Sequence, residues 1–317
     1  MSLTTFEPAN RDAATSERAS ASGSNGRPAK VTVPSLQQKK LQHQPISAVT
    51  AYDYASARII DDAGLDLILV GDSLAMVMQG QPNTLAITLD EMLLYTRGVR
   101  RAVQRALLVA DMPYGSYQVD DREGVANALR FVKEAGAEAV KIEGPRTELV
   151  RALTDAEIPV VGHLGLTPQS VHRMGGYRVQ AKTTDTVMQL RADAEALAEA
   201  GAGAIVLEGV PREVAAAVTA SLAIPTIGIG AGPECDGQIL VFNDILNLTF
   251  APHAKFVRQY ADAAALIRDA VERYREDVEH RAFPTDEESY HLPAAVRQAV
   301  EAADASEIST VAGIHRV

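Results

Sequence analysis

Short apolar runs, each closed by one polar side chain, alternate along this chain with longer amphipathic stretches. The run from Leu65 to Ser73, LDLILVGDS, is apolar until Asp72. In the same way LLVAD ends in Asp111, AVKIEG carries Glu143, VVGHLG carries His163, and AIVLEG carries Glu208. Runs of this kind, without a polar alternation, predict strands buried on both faces, as in parallel sheets covered by helices. If the sheet closes into a barrel, the carboxyl ends of its strands meet at one mouth, where active sites of such barrels lie.

Taken in order, residues 1–29 are rich in Ser, Ala, Asn, Arg and Gly without periodicity and predict a disordered extension. VTVPSLQQKK then reads as a short strand and helix start that closes the barrel bottom, and ISAVTAY, ending at Tyr52, is the first strand. A helix is expected over Tyr54 to Ala63 with Asp53 as its N-cap. After a flexible loop, Met76 to Asn83, Thr88 and Glu91 form a capping box for a helix running to about Arg105. LLVAD, AEAVKIEG and IPVVGHLG follow as strands, with helices opened at Asp120, which Gly136 ends, and at Pro145. The polar, Gly-rich stretch from Leu166 to Thr184 is a candidate lid. Beyond it come a helix over Asp185 to Ala200, the strand AIVLEG, a helix opened by Pro211, the strand IPTIGIGAG, a last strand within GQILVFNDI, and an amphipathic helix over Ala261 to Val278.

Eight strands alternating with helices predict a (β/α)₈ TIM barrel. An open doubly wound sheet also alternates, but it gathers ligands at one switch point, whereas polar tips are spread here over five strands. The expected division is an extension over 1–29, a catalytic barrel over 30–291, and a C-terminal tail over 292–317 with room for a peripheral helix.

Bulk properties narrow the partners. At 317 residues and 47% hydrophobic composition the chain can build one large core, and a net charge of −11 without a basic patch argues against nucleic acid and anionic membranes. No apolar run reaches membrane-spanning length and the first residues lack a secretory signal's apolar segment. One cysteine, Cys235, excludes an internal disulfide framework and fits a reducing cytoplasm. Small-molecule substrates are the expected partners.

Asp72, Asp111 and Glu143 are hard oxygen donors at successive strand ends, a set that suits Mg²⁺; singly, each could instead cap a helix or pair with an arginine. Side chains two apart on a strand share a face, which turns both Lys141 and Glu143 into the lumen. Lys141 could form a Schiff base, hold a substrate carboxylate as a cation, or pair with an acid, and the neighbouring carboxylates favour the cationic roles. Glu208, alone across the barrel, reads as a general base with a pKa raised in a closed site, or as the ion-pair partner of Arg212. His163 reads as a hydrogen-bonding residue of the site or a satisfied core histidine. GIGAG, Gly228 to Gly232, does not fit a dinucleotide fingerprint and reads as close backbone packing, with a phosphate site left open.

The segments TAYDYASA, LVGDSLAMVMQG, TLDEM, DMPYGSY, VKIEG, GHLGLTPQS, LEGVP and IGIGAGPECDGQIL, in this order between Val31 and Tyr290, resemble the ketopantoate hydroxymethyltransferase family. The resemblance implies a TIM barrel, Mg²⁺, and a ring-like homo-oligomer, a decamer. It implies transfer of a hydroxymethyl group from 5,10-methylenetetrahydrofolate to 3-methyl-2-oxobutanoate through a Mg-stabilised enolate, giving 2-dehydropantoate for pantothenate and coenzyme A synthesis. It casts Asp72 and Asp111 as metal ligands, with Glu143 as a third, directly or through water. Asp72, Ser73, Asp111, Lys141 and His163 become substrate-binding residues and Glu208 the proton acceptor. Two positions depart from the family's habit: Tyr114 stands where Phe is common, and Gly209 follows the base where Cys or another side chain is usual, which could loosen Glu208. The residue pattern alone also admits another metal-dependent 2-oxo acid lyase or mutase on a related barrel, or a silent 2-oxo acid or folate-binding protein.

Overall fold

The computed structural model describes residues 29–303. The disordered extension expected over residues 1–29 lies, except for residue 29, outside the described residues. Eight parallel strands are present: β1 (Ile46–Thr50), β2 (Leu67–Val70), β3 (Leu107–Asp111), β4 (Ala139–Glu143), β5 (Val160–Gly165), β6 (Ala204–Glu208), β7 (Thr226–Ile229) and β8 (Gly237–Leu240). Each pairs with the next, and β8 returns to β1 with Gly237 opposite Ile46, so the sheet closes into a barrel.

Helices intervene as the alternation predicts. Before the third strand come α1 (Val33–Leu41), α2 (Tyr54–Asp62), α3 (Leu74–Val77) and α4 (Leu89–Ala102). Then follow α5 (Asp121–Ala135), α6 (Thr147–Asp155), α7 (Val171–Met174), α8 (Thr184–Glu199), α9 (Arg212–Ser221), α10 (Phe242–Ile245) and α11 (Ala263–Glu279). Residues 294–303 are also helical.

Their starts follow the capping chemistry. Asp53 accepts from the Ser56 amide at 2.9 Å, and Thr88 and Glu91 exchange the reciprocal bonds of a capping box. Asp120 caps α5 and Gly136, at φ 73°, ends it. Several boundaries differ from expectation, β1 ending at Thr50 and α11 beginning at Ala263 among them. Helix α4 stops at Ala102, short of Arg105, because the amides of Gln104, Arg105 and Ala106 all donate to the Asp61 carboxylate. Pro145 does not open α6; a turn closed by the Arg146 amide on the Gly144 carbonyl delays the helix to Thr147. The loop expected over Met76 to Asn83 begins inside α3, and the candidate lid contains a 3₁₀ turn, Pro168–Ser170, as well as α7.

One apolar cluster fills the lumen, with Leu69, Val109, Val161 and Val206 among its members; a larger one, with Phe131, Leu153 and Leu197, lies between strands and helices. Each such side chain, fully buried, contributes about 1.5–3 kcal/mol. At the amino ends of the strands the acids are matched: Asp66 meets Lys39 at 2.6 Å and Arg105 at 3.4 Å, Asp236 meets Lys40, and Glu138 meets Lys30 and Arg100. Helix α11 buries no residue, and Ile267, Val271, Tyr274 and Val278 form an exposed apolar stripe along it. Among the described residues no helix is long and apolar enough to cross a membrane.

Candidate active site

Strand parity places the chemistry as expected. Val109 and Asp111, Val161 and His163, and Val206 and Glu208 share the lumen face of their strands, as do Ala139, Lys141 and Glu143. Asp72 stands just beyond β2, after Gly71. A side chain at Gly71 would crowd Ser73 and approach Asp111; without one, the Asp72 amide donates to Asp111 Oδ2 at 3.0 Å.

The buried groups form one cluster. Lys141 Nζ lies 2.8 Å from Asp111 Oδ1 and 3.1 Å from His163 Nδ1. His163 bridges two acids, Nδ1 being 3.4 Å from Glu143 Oε1 and Nε2 3.2 Å from Glu208 Oε2. These ion-pair contacts lack directed hydrogen-bond geometry at Asp111 Oδ1, Glu143 Oε1 and His163 Nε2, all of which are buried. Ser73 Oγ is 2.8 Å from the Tyr52 hydroxyl.

Arginine pairing is therefore not what these carboxylates do. Arg212 pairs with Glu234 and not with Glu208, and Lys141 is an ion-pair partner of Asp111. His163 is no satisfied core histidine but the bridge between Glu143 and Glu208. Gly230 packs against the Phe256 ring, where a Cβ would collide, so GIGAG provides close packing.

Electrostatics show an excess of acid. Burial pushes the Asp72 carboxyl well above its usual range, and the charges of Asp111 and Glu143 push it further. Burial also raises Asp111, although Lys141 and the Asp72 amide oppose it. Glu143 is lowered in spite of burial by His163, Lys141 and the Gln169 amide. Burial and Lys141 oppose protonation of His163, yet Glu143 and Glu208 carry its pKa up to about 9. Lys141 is likewise held charged by Asp111, Glu143 and Asp72 against the effect of burial. Four carboxyl groups thus face two cations, and Asp72 is the one most pushed toward protonation. Among the described residues no three His, Cys, Asp or Glu side chains are gathered closely enough to hold an ion as they stand: Asp111 turns to Lys141 and Glu143 to His163.

A sequence profile described as ketopantoate hydroxymethyltransferase matches residues 30–286. A 3-methyl-2-oxobutanoate hydroxymethyltransferase of Koribacter versatilis is 63% identical over 274 residues, covering 86% of this chain and 93% of that protein. One of the same name from Pelobacter propionicus is 53% identical, covering 83% and 98%. The chain belongs to the ketopantoate hydroxymethyltransferase family. As such it is an enzyme of the transferase type, catalysing the hydroxymethyl transfer step of pantothenate biosynthesis. Among solved structures, 2,3-dimethylmalate lyase, described as a PEP mutase/isocitrate lyase superfamily member, aligns with TM-score 0.54 at 21% identity, covering 90% of this chain and 100% of that one. That likeness concerns the barrel fold alone.

Two features of the site carry no pattern signal in the sequence. Gln169, in the 3₁₀ turn after β5, donates from Nε2 to Asp72 Oδ2 at 2.9 Å and from its amide to Glu143 Oε2 at 2.9 Å. Tyr117 donates to Gln169 Oε1 at 2.6 Å and accepts from the Glu143 amide at 3.0 Å. Both lie in segments that carry the family resemblance, GHLGLTPQS and DMPYGSY, but neutral side chains in loops give no periodic signal. At Gly209, φ is 54°, its amide donates to the Ile229 carbonyl and its carbonyl accepts from the Gln180 amide. The backbone beside Glu208 is therefore held from both sides, without the loosening expected from glycine.

Proposed function

We propose that this transferase moves a hydroxymethyl group from 5,10-methylenetetrahydrofolate to 3-methyl-2-oxobutanoate, forming 2-dehydropantoate, with Mg²⁺ as its resident metal and Glu208 as its base. The observation that carries this reading is the surplus of acid at the mouth: Asp72, Asp111, Glu143 and the partly exposed Glu208 against Lys141 and His163, with Asp111 Oδ1 facing Lys141 and Glu143 Oε1 facing His163. A set of oxygen donors that outnumbers its cations suits a hard divalent cation. Asp72, Asp111 and Glu143 would hold it once the latter two turn from their present partners. Bound there, Mg²⁺ supplies Lewis acidity toward the oxygens of a 2-oxo acid.

The chain's own groups do the rest. Lys141 presents a buried ammonium to the substrate carboxylate, with Ser73, fixed by Tyr52, at the same end. Glu208, less buried than the other three acids, takes the C3 proton, and His163 holds it in position. The carbanion equivalent at C3 then forms a carbon-carbon bond to the one-carbon unit of the folate. Both carbon-nitrogen bonds of that unit break, water supplies the hydroxyl oxygen and tetrahydrofolate leaves, so Lys141 is not needed as an imine former.

Residues 30–291 form the catalytic unit in this reading. The uncovered stripe on α11 supports a homo-oligomer, for which we take the decamer as the working assembly. A chain with one unpaired cysteine suits the cytoplasm.

The test is NMR of 3-methyl-2-oxobutanoate in D₂O with enzyme and Mg²⁺. Loss of the C3 proton signal, abolished by chelator, is expected either without folate or on its addition. No exchange under both conditions would discard the substrate.

A further inference from the structure

We propose that Gln169 is a positioning residue for the metal centre, fixing the Asp72 and Glu143 carboxylates together, and that Tyr117 fixes the sense of the Gln169 amide. The inference rests on the reading of Asp72 and Glu143 as ligands and goes beyond it, since it concerns the groups bonded to those residues rather than the ligands themselves.

Backbone groups settle which way the amide points. Met112 offers a carbonyl, which only accepts, 3.0 Å from Gln169 Nε2. The amides of Gly115 and Tyr117, which only donate, meet Gln118 Oε1, so Gln118 turns its Nε2 toward Gln169 Oε1 at 3.1 Å. The Tyr117 oxygen accepts from the Glu143 amide, and its proton goes to the same Gln169 oxygen. Nε2 therefore faces Asp72 as a donor. With the amide reversed, a carbonyl oxygen would stand against a carboxylate oxygen.

A closed circuit results. Glu143 donates from its backbone to Tyr117, Tyr117 donates to Gln169, and the Gln169 backbone donates to the Glu143 side chain. The second arm of Gln169 reaches Asp72, 97 residues away in sequence. One residue, buried in the turn after β5, thereby meets one oxygen of each of two carboxylates, Glu143 Oε2 through its backbone amide and Asp72 Oδ2 through its side chain. Groups that orient metal ligands in this way typically account for roughly 10- to 100-fold in affinity.

The test is Mg²⁺ calorimetry on the full chain and on Asp111→Ala, Gln169→Met, Tyr117→Phe and the Gln169→Met/Tyr117→Phe double variant, with thermal unfolding as a check of folding. Gln169→Met keeps the side chain's length and is expected to weaken Mg²⁺ binding by roughly 10- to 100-fold. Tyr117→Phe, which keeps the ring, is expected to cost about two- to tenfold and to add nothing in the Gln169→Met background. Wild-type affinity in folded Gln169→Met, while Asp111→Ala has lost binding, would overturn the role of Gln169 and leave the ligand reading intact. A Tyr117→Phe loss that adds in full to that of Gln169→Met would overturn the circuit. Unchanged Mg²⁺ binding in Asp111→Ala would instead overturn the ligand reading, and this inference with it.

Discussion

Nε2 of His163 lies 3.2 Å from Oε2 of Glu208. The contact joins strands β5 and β6 at the mouth and gives the proposed base a fixed neighbour while its side chain stays partly exposed. For Glu208→Gln we expect substrate binding to persist and C3 proton removal to slow by roughly 10²- to 10⁴-fold. Deuterium exchange followed by NMR measures it, and near-normal exchange would remove Glu208 from the role.

Asp111 answers to three groups, the Lys141 ammonium, the Asp72 amide and the proposed ion. Asp111→Ala is expected to weaken Mg²⁺ binding by more than tenfold, as loss of a charged oxygen ligand requires, with the barrel still folded. Calorimetry and circular dichroism read the two effects separately.

At the other end of the barrel, Asp61 offers a test of pH dependence. Its carboxylate accepts amides from Gln104 at 2.8 Å and Ala106 at 2.7 Å, and Arg105 adds a third. Burial opposes ionisation, but these donors hold the pKa below the usual carboxylate value. Because the folded value is the lower one, the stability it contributes is present above the unfolded pKa, about 3.9, and is lost as pH falls through the folded one. Asp61→Asn should cost about 1–3 kcal/mol at pH 7. The gap in urea midpoint from wild type should narrow below about pH 4, and a constant gap would contradict the assignment.

Ile267, Val271, Tyr274 and Val278 recur at helical spacing on α11 and stay exposed among the described residues, with the Phe283 ring set edge-on against Tyr274. In the proposed assembly they meet another subunit. Ile267→Glu combined with Val271→Glu should lower the sedimenting mass, and an unchanged mass would take α11 out of the interface.

Where the sequence carried local signals, the structure follows them closely. Strand β3 is Leu107–Asp111 as read, and α5 starts after Asp120 and stops before Gly136 because cap and terminator are both local. The end of α4 was not legible, since Asp61, more than 40 residues earlier, claims its following amides. The same division holds at the site. Charged residues at strand ends were recognisable by parity, and Lys141, Glu143 and His163 do share the lumen. Parity does not say which oxygen meets which nitrogen, so the turning of Asp111 to Lys141 was not visible. Gln169 acts entirely through bonds across the fold and has no sequence signature of its own.

The matched acids at the amino ends of the strands and the unmatched ones at the mouth give the two ends of the barrel different fields. At one end Asp66, Asp236 and Glu138 each face at least one cation. The other repels anions for as long as Asp72, Asp111, Glu143 and Glu208 outweigh Lys141 and His163, and a 2-oxo acid is itself an anion. In the proposed reaction a cation held by these acids would relieve that repulsion, so the keto acid is expected to bind more tightly with the ion in place than without it.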